Sequence, residues 1–325
     1  MAEPVFPRLA VIGFGLIGGS VARAAKAFGL ADHVTAADVD PAVRARVREL
    51  GVVDHVADTP AEAVRDADAV VLSVPVGESG PVVAAIAPHL KPGAVLSDVG
   101  SVKSAVIAAV TPHLPAHASF VPAHPVAGTE FSGPDAGFAE LFRDRWCILT
   151  PYERSTGSSV AAMRQLWEGM GARVEAMEAH HHDLVLAITS HVPHLIAYNI
   201  VGTAAHLEAV TQSEVMKFSA GGFRDFTRIA ASDPTMWRDV FLNNKEAVLE
   251  MLGRFTEDLS ALQRMVRYGD GDGLFELFTR TRAIRTGIIA QGQETAAADF
   301  GRRKEVLIPD GAERRSGTGE PPLSP

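Results

Sequence analysis

Two short segments carry the residue types that proton transfer requires. Asp98-Val99-Gly100-Ser101-Val102-Lys103-Ser104 and His124-Pro125-Val126-Ala127-Gly128-Thr129-Glu130 each follow a β-rich run, AVLSDV from 94 and SFVPAH from 119. Open α/β sheets take ligands beyond the carboxyl ends of their strands, so both segments point toward one site. There His124 offers an imidazole that can accept a proton near neutral pH. Ser101 offers a hydroxyl that can share a hydrogen bond with that imidazole or with a substrate oxygen. The plain alternatives are that Ser101 caps a helix beginning near Val102 and that His124 is a loop histidine satisfied by backbone groups.

A third segment, Gly13-Phe14-Gly15-Leu16-Ile17-Gly18, follows the apolar run from Leu9 and opens an alanine-rich stretch. In that strand-to-helix context the pattern fits a dinucleotide: Gly13 for a tight turn, Gly15 for close approach of a pyrophosphate, Gly18 for helix–strand packing. The free N–H groups at the helix start, around Leu16 and Ile17, favour phosphate. Asp38 stands at the end of the next strand-like run, placed to accept from ribose hydroxyls and to repel a 2′-phosphate. NAD is therefore expected over NADP, although Arg44 and Arg46 lie close by in sequence.

A fourth cluster lies in the second half. Ser190, His191 and His194 fall at helical spacing in SHVPHLIA, so pairs three and four apart can share a face. A metal reading of His191 and His194 is disfavoured, because no further ligand accompanies them in a recognised pattern; no metal is expected. His180, His181 and His182 point apart on a helix and read as a solvated helix start.

The elements that must hold these groups follow from pattern. Short β-rich runs (LAVIG, VTAAD, AVVLSV, AVLSDV, SFVPAH) alternate with helical stretches through the first half, the signature of a parallel sheet covered on both faces. WCILT from 146 and RVEAM from 173 are expected to extend that sheet. After Ala179 strand signals stop. Pro193 should kink or divide a helix over 180–206, and Asp233-Pro234 should open a helix running to Val266. The apolar stripe of that helix, from Trp237 through Phe241, Val248, Met251, Phe255 and Leu259, must be buried. The expected organisation is a Rossmann domain over 1–178, an all-α domain over 179–301 and a polar tail over 302–325, expected to be disordered.

Composition narrows the function classes. A net charge of −9 disfavours nucleic acid as a partner, and 47% hydrophobic residues suit a globular chain. The one cysteine, Cys147, excludes an internal disulfide and suits a reducing cytoplasm. MAEPVFPR does not resemble a secretory signal, and no run is expected to be apolar enough to span a membrane.

Taken together, GFGLIGGS at 13–20, DVGSVKS, HPVAGTE at 124–130, SHVPHLIA and FRDFTRIAASDPTMW at 223–237 make the chain similar to the prephenate/arogenate dehydrogenase family, up to about residue 300. The resemblance implies NAD-dependent oxidative decarboxylation of a small cyclohexadienyl substrate. It also implies a helical C-terminal domain that forms a homodimer. By motif, His124 resembles the catalytic histidine, Ser101 its hydroxyl partner and Glu130 an active-site glutamate. Ser190, His191 and His194 match the helical polar group, Arg228 the arginine that binds substrate carboxylate, and Trp237 an aromatic near the dimer cleft. For Glu130, Asp225 and Trp237 the readings of a loop salt bridge, a partner for Arg224 or Arg228, and core packing stay open. No appended mutase segment or regulatory domain is evident, so a stand-alone dehydrogenase is expected. The rival readings are another hydroxy-acid dehydrogenase, with Lys217 as its base, and a non-catalytic dinucleotide sensor.

Overall fold

The computed structural model describes residues 3–129, 131–211 and 220–290. Its first half is built on six parallel strands: β1 Arg8–Ile12, β2 His33–Ala37, β3 His55–Val56, β4 Ala69–Leu72, β5 Val95–Asp98 and β6 Ser119–Val121. They lie in the order β3-β2-β1-β4-β5-β6. The order reverses at β1, which pairs with both β2 and β4, and a crevice opens there at the carboxyl ends. The central strands are continuously apolar because both faces are covered. Leu9 and Val11 pack toward Phe142 and Trp167, while Ala10 and Ile12 pack toward Ile86, Val106 and Trp237. This is the expected α/β Rossmann architecture.

The strands at 146 and 173 do not extend that sheet. β7 (Ala123–Pro125), β8 (Trp146–Leu149) and β9 (Arg173–Ala176) form a separate three-stranded sheet, with β7 antiparallel to β8 and β8 parallel to β9. The run SFVPAH is thus two strands, divided at Pro122. Proline has no N–H to give a ladder, and the Pro122 carbonyl accepts from the Thr150 N–H at 3.0 Å. The chain passes from one sheet to the other at that residue, and β7 carries His124 with it.

Among the described residues after Ala179 every regular element is helical. The run from Ala179 is divided near Pro193, as the sequence suggests: a helix over Ala179–Leu186 passes through a π turn at Ala187–His191 into a helix Val192–Thr211. The wider π turn lies immediately before the proline, where the N–H it lacks and its ring would otherwise disturb the helix. The helix opened by Asp233 and Pro234 does not run unbroken to Val266. It stops at Asn243 and resumes as Lys245–Tyr268, because Asn244 leaves helical geometry with its side chain buried. Gly269, in the left-handed region at φ 69°, ends the second piece.

The helical run Ala179–Leu207 is, by length and composition, apolar enough to cross a membrane, contrary to the sequence expectation. It is a core helix of this fold: His182, Asp183 and His191 on its inner side are buried and hydrogen-bonded to polar groups of other elements. The residues through Arg280 form one compact unit. Those from Thr281 form a second, whose described part continues the helix Gly271–Ala290. The expected polar tail at 302–325, Lys217 and Glu130 all lie outside the described residues.

Candidate active site

The nucleotide crevice is formed by β1 and the helix α1 (Leu16–Ala27), which has no acidic residue in its first turn to compete with a phosphate. Two glycines are required sterically. A Cβ at Gly13, where φ is +88°, would lie 2.4 Å from the Ser73 carbonyl oxygen, and one at Gly18 would lie 2.1 Å from that of Gly13. At Gly15 a Cβ would meet nothing within 4 Å, so open space lies over the helix start. The residues fit a dinucleotide pyrophosphate by that test. Asp38 is tied to the same turn: its Oδ2 accepts from the Phe14 N–H at 2.8 Å and its Oδ1 from the Asp40 N–H at 2.9 Å. A carboxylate has lone pairs beyond these two for ribose hydroxyls. Arg44 donates to the Asp38 and Val39 carbonyls, and Arg46 holds Asp135 and Glu49. Both arginines are already engaged, which favours NAD over its 2′-phosphorylated form.

His124 sits on β7, just past the carboxyl edge of the parallel sheet. It is neither exposed nor satisfied by backbone: its Nδ1 lies 2.9 Å from Nε2 of His182. His182 Nδ1 in turn lies 2.9 Å from Asp183 Oδ1. Asp183 also accepts from the Lys103 N–H at 2.8 Å and the Ser104 N–H at 2.9 Å, at the start of the helix Ser104–Val110. Lys103 is fully buried. Its Nζ donates to Asp98 Oδ2 at 2.5 Å and to the Ala123 carbonyl at 2.6 Å. Burial, with His182, Lys103 and His191 adding, holds the His124 pKa well below 6.5.

His191 is buried, and its Nδ1 lies 3.1 Å from the amide nitrogen of Asn244, which also donates to the Asp183 carbonyl at 2.9 Å. Burial chiefly, then His182, lowers its pKa to about 4, opposed by Asp183 and by the Ser101 backbone. His194 stacks on Trp237, ring centroids 3.6 Å apart, and donates through Nδ1 to the Ser190 carbonyl at 2.8 Å. Burial lowers the His194 pKa, and the charge of Arg228 lowers it further.

The structure therefore gathers His124, His191 and the Ser101 backbone on one side, and His194, Ser190 and Arg228 on another, bridged by Trp237. Trp237 packs in the core and also edges against His191 at 6.1 Å. Asp225 pairs with Arg224, both exposed. The helix after Ser101 starts at Ser104 with Lys103 as its cap and no side-chain bond, so Ser101 is not a cap. The loop after His124 lies on the nucleotide helix: Phe138 N–H donates to Ser20 Oγ at 3.0 Å, and Arg23 donates to the Pro134 carbonyl at 3.0 Å.

Comparison with known proteins decides the family. The model of the prephenate dehydrogenase nucleotide-binding domain matches residues 21–176, and that of the prephenate dehydrogenase dimerization domain matches 178–280. The chain belongs to the prephenate dehydrogenase family. It is 46% identical to the cyclohexadienyl dehydrogenase of Zymomonas mobilis over 87% of this chain and 97% of that protein. It is 33% identical to the prephenate dehydrogenase of Bacillus subtilis, over 85% of this chain and 74% of that one. The crystal structure of Aquifex aeolicus prephenate dehydrogenase with hydroxyphenyl propionate and NAD+ superposes with a TM-score of 0.81 at 30% identity, covering 89% of this chain and 99% of that one.

Within this family fold, sequence reasoning missed four groups around His124: Lys103, His182, Asp183 and Asn244. His180 and His181 are exposed, as a helix start would have them, but His182 is buried and is the partner of His124. The available signal was the helical rule itself. Neighbours on a helix point apart, so one of three consecutive histidines had to face inward.

Proposed function

We propose that this chain oxidises and decarboxylates prephenate, arogenate or both with NAD, yielding 4-hydroxyphenylpyruvate or tyrosine in tyrosine biosynthesis. The observation that carries the reading is a buried, neutral histidine, His124, at the carboxyl edge of a sheet whose glycine turn fits a dinucleotide. Bound NAD would supply the hydride acceptor. The chain's own residues do the rest. His124 takes the proton of the substrate ring hydroxyl, Ser101 orients that hydroxyl, and Arg228 binds a substrate carboxylate through its forked donors. Ser190, His191 and His194 line the substrate side, and Glu130 is assigned to it by motif alone. Loss of the ring carboxylate as carbon dioxide leaves its bonding pair in the ring, which becomes aromatic and drives the reaction forward.

The working division is a nucleotide-binding part over 1–178 and a substrate and dimerisation part over 179–301, the active molecule being a cytoplasmic homodimer. The family's dimerization domain supports the dimer. So do Leu259 and Val266, exposed on the continuing apolar stripe. Purified protein incubated with NAD and each substrate separately should form reduced nicotinamide and carbon dioxide in equal amounts with at least one of them. Reduced nicotinamide without carbon dioxide would point instead to a simple hydroxy-acid dehydrogenase.

A further inference from the structure

We propose that His182 and Asp183 form a positioning relay behind His124, holding its Nδ1 protonated so that Nε2 is the nitrogen that accepts the substrate proton. The inference rests on the reading of His124 as the base and goes beyond it to the atom that acts and the groups that choose it.

The direction of each hydrogen bond follows from the far end inward. Asp183 accepts two backbone N–H bonds, from Lys103 and Ser104, and these with His182 keep its carboxyl ionised, its pKa lowered although burial opposes this. An ionised carboxylate only accepts. The bond between Asp183 Oδ1 and His182 Nδ1 therefore takes its hydrogen from His182. Burial keeps His182 neutral at ordinary pH, so its second nitrogen, Nε2, carries a lone pair. The 2.9 Å contact to His124 then requires a hydrogen on His124 Nδ1. In a neutral imidazole that leaves the lone pair on Nε2, which makes no hydrogen bond among the described residues.

Charged groups surround the relay on several sides. The Lys103 ammonium lies against Asp98, and the Lys103 N–H donates to Asp183. Burial holds down the affinity of His124 for a proton, and His182, Lys103 and His191, facing it from three different elements, lower it further, while the buried Cys147 thiol stays neutral because burial raises its pKa well above the usual range. The proton moves from substrate oxygen to His124 Nε2, and no other bond in the relay need break.

Nitrogen-15 spectra of the histidine-labelled, NAD-bound protein read the tautomer directly, with His124→Asn identifying the His124 signals by their loss. The expected spectrum shows His124 protonated on Nδ1; protonation on Nε2 would overturn the relay whatever the activity of any variant. A second arm uses kinetics. Asp183→Asn presents an N–H where an acceptor stood and can reverse the chain of donors, and a triad base held in the wrong tautomer loses about 10⁴ in turnover. Here the expected loss in kcat is about 100- to 1,000-fold, with NAD affinity unchanged. In a His124→Asn background the same change should cost less than about threefold, because its effect passes through His124. Equal losses in both backgrounds would make Asp183 a structural residue only. Failure of the base assignment itself appears separately, as near-normal turnover of the His124→Asn single variant.

Discussion

Asp38 holds the Phe14 N–H of the glycine turn and stands where a ribose would lie, so its removal has two separable consequences. Asp38→Ala should weaken NAD and narrow the preference over NADP, because acceptor and repulsive charge go together. Asp38→Asn keeps an acceptor for the turn while losing the charge. Its NADP-to-NAD ratio of kcat/KM should therefore rise with little change in stability, and unchanged ratios in both variants would remove Asp38 from the ribose site. For Arg228, replacement by glutamine should raise the substrate KM by about 10- to 100-fold, the scale of a charged hydrogen bond of about 1.5–3 kcal/mol. Its NAD dissociation constant should stay the same, and a parallel loss of NAD affinity would contradict the assignment. At this scale the motif residues were legible because each has a local reason for its type: glycines where a Cβ would collide, an acid at a strand end. Lys103, Asp183 and Asn244 were not, since beside any near partner each has one that lies 20 to 80 positions away in sequence, which only the fold brings close.

Three interruptions in otherwise regular elements build the site. Pro122 moves the chain between sheets, the π turn before Pro193 sets where His191 and His194 face, and the break at Asn244 places an amide between two helices. The pattern of the sequence revealed the proline in the helix, because proline has a fixed local effect. It did not reveal that SFVPAH serves two sheets or that a buried asparagine divides the long helix, since both depend on what the segments pack against. Asn244→Ala should leave the buried His191 nitrogen without its donor and remove one of two donors to the Asp183 carbonyl, which also accepts from the Ala187 N–H, costing about 1–3 kcal/mol. Thermal unfolding would read this as a clear drop in Tm, while Asn243→Ala, at an exposed site, should leave Tm within about a degree or two. Equal Tm values for both would mean that the Asn244 contacts contribute nothing.

Over the whole molecule, the buried histidines link stability to pH. His124, His182 and His191 all have pKa values lowered in the folded chain, to about 4 for His191. The unfolded chain therefore binds more protons below about pH 6.5, and the stability that these neutral rings allow is present above that pH and lost as pH falls toward 4. Tm should decline steadily over that window, and a flat profile would contradict the burial of these rings in solution. Light scattering should give twice the 34.4 kDa chain mass at micromolar concentration, with charge placed at Leu259 or Val266 shifting it toward the monomer. A monomeric mass for the unaltered protein would contradict the dimer.

The most direct measurement is the pH dependence of kcat for the unaltered protein beside His124→Asn, with NAD saturating and with whichever cyclohexadienyl substrate turns over. A free histidine base would give an acid limb near 6.5, but burial lowers the pKa of His124, so the unaltered protein should hold its rate to well below that pH before losing it. His124→Asn should bind NAD normally, turn over about two to four orders of magnitude more slowly, the scale of general-base catalysis, and show no such limb. A variant that kept near-normal turnover and the same acid limb would contradict His124 as the group that takes the proton.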